Sequence, residues 1–209
     1  VVHSAAGGQR NGQLRPHPPH RVQMRGPSFR RGVSTSEHAR ALLEAGADKV
    51  SVNTAAVARP QLIEEIAGKF GSQCAILALD AAVRPVFDAD ELPQSRWEVV
   101  IRSGTIRTGL DAVQWAVQAV QLGAGEILLT SWDRDGTRSG YDLELLNAVS
   151  QAVTVPVIAS GGADSPEHMV DALRSGADAV LAASIFHEGN YTVQELKEFL
   201  AANGVEVRR

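Results

Sequence analysis

The six residues Cys74-Ala75-Ile76-Leu77-Ala78-Leu79 run directly into Asp80. A carboxylate closing an apolar strand stands at the mouth of a sheet beside a dry interior, where burial can tune it into a general base; the plainer alternative is a cap for the following loop. Ser160-Gly161-Gly162 follows the apolar Val155-Pro156-Val157-Ile158-Ala159, and Ala183-Ser184 closes the next apolar stretch. Glycines let backbone amides approach a ligand closely, and the second stretch adds a hydroxyl and a helix start, so consecutive strand ends suit a phosphate. Asn53-Thr54 offers either a second anion cradle or an ordinary turn cap. Thr130-Ser131 leads into the polar loop Trp132-Asp133-Arg134-Asp135-Gly136-Thr137, where Asp135 either meets a substrate or organises the turn. Lys49 and Glu126 each begin a strand, which puts them at the opposite end of the sheet from Asp80, and exposed surface charges are their plain reading.

These groups need strands to carry them. Ser34-Thr35-Ser36-Glu37 predicts a helix cap, with a helix over 35–45 closed by Gly46. Further helices are expected from Pro60 to Ala67 and near 109–122, 142–152, 166–175 and 192–202. Strands are expected at 49–53, 74–79, 126–130, 155–159 and 178–182. Short apolar strands alternating with amphipathic helices predict an α/β protein with a parallel sheet covered by helices. A recurring unit supports this: Gly46-Ala47-Asp48-Lys49-Val50-Ser51-Val52-Asn53-Thr54 resembles the stretches from Gly123 to Ser131 and from Gly176 to Ser184. In each, the glycine closes a helix and the hydroxyl marks a strand end. Only these five strands are found, against the eight of a closed barrel of about 250 residues. The first and last of them are therefore expected to lack neighbours. Residues 82–108, with Trp97-Glu98-Val99-Val100-Ile101 before Arg102-Ser103-Gly104-Thr105, read as a β-hairpin insertion of the kind that covers substrates.

The chain of 209 residues has 44% hydrophobic and 21% charged residues, and none of its apolar runs approaches the length of a membrane span, about 18 residues. The single cysteine, Cys74, has no intrachain partner, reads as a small buried thiol at a strand start, and points to a reducing, cytoplasmic compartment. Residues 1–32 hold six Arg and no acid, leaving 14 basic against 24 acidic residues in the body. A body near −10 argues against nucleic acid as the main partner while allowing a local basic pocket for a phosphorylated metabolite. The same 32 residues carry four of the nine Pro and three of the six His with no apolar period, so disorder or poor packing is expected. They read as a basic arm, a transit peptide or a stretch foreign to the fold. A transit peptide would be Ser-rich, and only Ser4 and Ser28 occur, so the last reading is preferred. His3, His17 and His20 share no regular face and do not suggest a metal. No dinucleotide fingerprint, P-loop, HExxH or CxxC motif occurs, so no cofactor is expected.

From about Gly32 to Arg209 the sequence resembles the cyclase subunits of imidazole glycerol phosphate synthase, of histidine biosynthesis. The likeness rests on Ala45 to Ala56, on Gly123 to Ser131 with Asp133-Arg134-Asp135-Gly136-Thr137 and Gly140-Tyr141-Asp142, and on Ile158 to Ala163. It implies a (β/α)8 barrel, of which residues 33–209 supply strands four to eight, preceded by the non-matching 1–32. It implies an enzyme that takes phosphoribulosyl-formimino aminoimidazole carboxamide ribonucleotide and ammonia to imidazole glycerol phosphate and aminoimidazole carboxamide ribonucleotide. The ammonia would come from a glutaminase partner in a heterodimer. Asp80 matches one of two catalytic aspartates; the other belongs to a first strand without a counterpart here, so little or no turnover is expected of the chain as written. Asn53-Thr54 and Ser160-Gly161-Gly162 with Ala183-Ser184 match two phosphate clamps, and Thr130 and Asp135 match residues near the substrate. Lys49 and Glu126 match a charged ring that gates ammonia, which replaces the surface-charge reading. The isomerase of the same pathway, and a non-catalytic fragment that docks the glutaminase, are the alternatives.

Overall fold

A computed structural model describes residues 2–3, 33–85, 95–187, 189 and 191–207. Five parallel strands form its centre: β2 (Val50–Val52), β3 (Ala75–Val83), β6 (Glu126–Ser131), β7 (Val157–Ser160) and β8 (Ala179–Val180), side by side in chain order. Each is joined to the next by at least one helix, as parallel neighbours require. The helices are α1 (Ser36–Glu44), α2 (Thr54–Ala58), α3 (Gln61–Phe70), α4 (Ala112–Gln121), α5 (Leu143–Ala152), α6 (Pro166–Arg174), α7 (Ser184–His187) and α8 (Val193–Ala202). With one face of the strands packed under a layer of helices, this is the α/β architecture of a partial barrel.

Local chemistry sets the helix boundaries. Thr35, Asp111, Asp142, Ser165 and Thr192 each accept a hydrogen bond from an amide of the first turn they precede, satisfying donors that a helix start leaves free. Thr192 and Glu195 form a reciprocal capping box. Gly46, Gly123 and Gly176, the recurring glycines of the sequence, all sit at φ between 100° and 107°, the turn that releases a helix into a strand.

Side chains alternate across a strand. One face carries Val50, Val52, Ala75, Leu77, Leu79, Ala81, Ile127, Leu129, Val157, Ala159 and Val180, all buried beneath the helices. Leu62, Ile63 and Ile66 of α3, Leu145 and Leu146 of α5 and Met169 of α6 complete that core. The opposite, inner face is built in rows fixed by strand register: Ala78 beside Leu128, Ile158 and Ala179, and one row up Asp80 beside Thr130 and Ser160.

Several expectations are corrected. The strand bearing Asp80 does not stop there but runs on to Val83, because β4 (Trp97–Ile101) pairs antiparallel with its last four residues, Asp80 opposite Val100. β4 turns into β5 (Ile106–Asp111), which gives the expected hairpin but takes residues 109–111 from the helix predicted there; residues 86–94 of the insertion lie outside the described residues. Cys74 ends a 3₁₀ turn over Ser72–Cys74 and is half-buried, since the strand begins one residue later. Ser184 opens α7 rather than ending a strand, because β8 is only two residues long. The last strand is not bare: Val2–His3 (β1) pairs antiparallel with Ala179–Val180, so these two residues join the sheet. Residues 4–32, where disorder was expected, lie outside the described residues. Among the described residues β2 pairs with β3 alone.

Truncating Leu77 to Ala, a fully buried residue of the central strand, should lower unfolding free energy by about 2–5 kcal/mol. The same change at exposed Leu110 should cost well under that; urea denaturation of the two variants checks the contrast.

Candidate active site

Asp80 sits half-buried on the inner face, and the neighbouring elements close on it from both sides. From the end of β2, the Asn53 Nδ2 amide donates to Asp80 Oδ2 at 2.7 Å. From β6, the Thr130 hydroxyl adds a second hydrogen bond. Burial raises the carboxyl above the usual aspartate range, the Asn53 and Thr130 hydrogen bonds pull it back, and the Asp135 carboxylate pushes it up again. Four residues singled out in the sequence thus meet at one point. Asn53 brings a further feature: its Oδ1 is buried with no hydrogen-bond partner among the described residues.

At the ends of β6, β7 and β8 lies a cavity of about 290 Å³; Asp80 does not line it, but Ser160, two strands along in the same row, does. Ser160, Gly161, Gly162, Ala183 and Ser184 line it as expected, with Asp135 on the rim. A Cβ on Gly161 would stand 2.9 Å from the Ser131 carbonyl oxygen, and one on Gly162 only 2.2 Å from that of Gly140. Both glycines have φ near +90°, so bulk and backbone conformation alike exclude side chains where the chain lines the cavity. The polar loop after β6 folds back to meet them, its Gly140 amide donating to Gly162 oxygen at 2.9 Å. Buried Tyr141 then donates from its hydroxyl to the Leu181 carbonyl at 3.0 Å, tying the loop to the wall after β8; burial pushes its phenol far up, so it remains a donor.

A family model described as "Histidine biosynthesis protein" matches residues 28–192. The chain belongs to the histidine biosynthesis protein family. Its members are enzymes of histidine biosynthesis of the isomerase or cyclase type, and the matched stretch contains every candidate residue from Lys49 to Ser184.

In this histidine biosynthesis protein the remaining candidates divide. Lys49 and Glu126 form an ion pair at the amino-terminal end of the strands; Glu126 is 7% exposed, while the Lys49 side chain keeps 42%. A buried partner makes the plain surface-charge reading wrong. Glu126 pairs in register with Ile76, four residues before Asp80 and on the same face, so about 13 Å of mostly apolar sheet separates the ion pair from the carboxylate. Thr54 does not reach the cavity. It lies across β3 from it, and its hydroxyl accepts from the Arg102 amide at 3.3 Å, joining α2 to the hairpin tip. The tip also packs on Trp132: a Cβ on Gly104 would stand 1.9 Å from the indole. Buried Glu98 stiffens the hairpin, accepting from Arg107 at 2.6 Å and from the Gly109 amide at 3.1 Å.

Sequence reasoning missed Arg138, Tyr141 and Leu181. The return of the loop onto the strand ends brings Arg138 to the cavity and Tyr141 against Leu181, whereas Leu181 itself follows β8 directly and fell inside the strand expected at 178–182. Among the described residues no helix is long and apolar enough to cross a membrane.

The opposing influences on Asp80 give a signed prediction. Asn53→Ala removes a hydrogen bond to the ionised form and should move the Asp80 titration to higher pH, whereas Asp135→Asn removes a like charge and should move it lower. Carbon-detected NMR titration of the Asp80 carboxyl in the three proteins reads both directions.

Proposed function

We propose that this member of the family is the cyclase of imidazole glycerol phosphate synthase, acting on a substrate with a phosphate at each end and on ammonia from a glutaminase subunit. The observation that carries the reading is that one sheet face holds Asp80 in a row with Ser160, which opens a cavity walled by two glycines, and, at its far end, a partly buried ion pair. Closing an imidazole ring on ammonia moves protons on and off nitrogen and carbon. Asp80, raised from the ordinary aspartate value by its burial, is suited to take a proton and return it. Thr130 and Asn53 orient it, Asn53 through the hydrogen bond from its side-chain amide to Asp80 Oδ2.

Ser160, Gly161, Gly162, Ala183 and Ser184 hold one phosphate, and Asn53-Thr54, on the other side of Asp80, hold the second. An elongated substrate then spans the carboxylate with its reacting centre above it. The ion pair favours the cyclase over the isomerase. An isomerase receives its one substrate at the carboxyl ends of the strands and has no use for a charged pair facing the interior at the amino ends. A cyclase that takes ammonia through the barrel does, and the glutaminase would dock on that end, over Lys49 and Glu126.

With the bis-phosphorylated substrate and an ammonium salt, release of imidazole glycerol phosphate is expected. Asp80→Asn should lower the rate by about 10² to 10⁴. Conversion that proceeds equally without ammonia would identify the isomerase, and glutaminase binding without any turnover a docking fragment.

A further inference from the structure

The cavity poses an electrostatic problem. A phosphate ester carries close to two negative charges, and the Asp135 carboxylate on the rim repels it. Backbone amides and the Ser160 and Ser184 hydroxyls supply only partial positive charge. Of the residues lining the cavity, only Asp135 and Arg138 are charged, which makes Arg138 the one cation on its wall among the described residues.

Arg138 is also held there against its own preference. Its φ is 62°, a left-handed conformation that residues with side chains avoid, in a loop where Gly136 and Gly140 adopt positive φ freely. The turn around it enforces that conformation. Thr137 donates from its hydroxyl to the Arg134 carbonyl at 2.7 Å, the Ser139 amide donates to Thr137 Oγ1 at 3.4 Å, and Arg134 Nη1 donates to Ser139 Oγ at 3.1 Å. Its guanidinium meets Asp164 at 3.9 Å, with side-chain exposures of 50% and 38%. A contact that long and that wet holds Asp164 only weakly, so this carboxylate competes poorly with a fully charged, bidentate acceptor.

We propose that Arg138 is the cationic anchor of the phosphate bound in this cavity, exchanging Asp164 for the ligand's oxygens and offsetting the repulsion from Asp135. The inference rests on the reading of the cavity as a phosphate site and adds to it the residue that supplies the charge. Glycerol phosphate, titrated calorimetrically into the full chain, tests it.

Arg138→Ala should weaken binding by about tenfold to a hundredfold, and Arg138→Lys should recover part of the loss. Asp164→Asn should tighten it about twofold to fivefold by removing the competing carboxylate. Arg138→Gly separates binding from folding, since glycine accepts the left-handed backbone: its melting temperature should equal or exceed that of the parent while binding is lost. The parent's affinity should also fall more steeply with added salt than that of Arg138→Ala. If the parent binds and Arg138→Ala binds within about twofold of it, the anchor is overturned and the phosphate cavity stands. If the parent itself fails to bind, the phosphate reading falls and Arg138 falls with it.

Discussion

Register between parallel strands is the constraint on which the rest depends. Once Leu77, Leu79, Ile127, Leu129, Val157 and Ala159 are buried against the helices, every intervening residue must face the other way. Asp80, Thr130 and Ser160 therefore stand in one row, and Glu126 stands on the same face near the opposite end. A slip of one residue in β3 would place Asp80 among α3 and α4 and bury Leu79 in the site. Hydrophobic burial on one face thus holds the polar constellation on the other, with no interaction of the site's own needed to align it.

Around that row the loops supply what strands cannot. A strand end can offer a hydroxyl or a carboxylate but leaves its backbone amides committed to neighbours. The turn through Gly161 and Gly162 frees the chain to line a cavity, and the loop after β6 returns through Gly140 and Tyr141 to complete its wall. On the other side, the hairpin of β4 and β5 extends β3 and meets Thr54 and Trp132 at its tip. The same carboxylate is thereby flanked by two differently built rims.

Much of the fold was legible because its signals are local. Helix starts are set by side chains that cap their own first turn, as at Thr35, Asp142 and Thr192, and the apolar runs at 75–79 and 127–129 mark strands. Boundaries failed where a distant partner decides. β3 continues past Asp80 because β4 pairs with it, and residues 109–111 leave the predicted helix because they form a strand opposite β4, with Asp111 capping α4. The site shows the same division. Asp80 and the Gly161-Gly162 pair stood out by position at strand ends, whereas Arg138 and Tyr141 belong to a loop whose local turn its own residues set but whose docking on Gly162 and Leu181 depends on distant partners.

By itself, then, the order of residues determined which segments are helices and strands, which face of each is apolar, and that a carboxylate, two glycines and several hydroxyls fall near strand ends, since these depend on periodicity and on contacts a few residues apart. Tertiary structure alone decided that Asn53 bonds Asp80, that Lys49 meets Glu126, that Val2–His3 joins the sheet, and that Arg138 and Leu181 share one cavity. Those pairings join residues tens of positions apart or more, and such closure is set by the packing of the whole sheet and its helices rather than by any local preference.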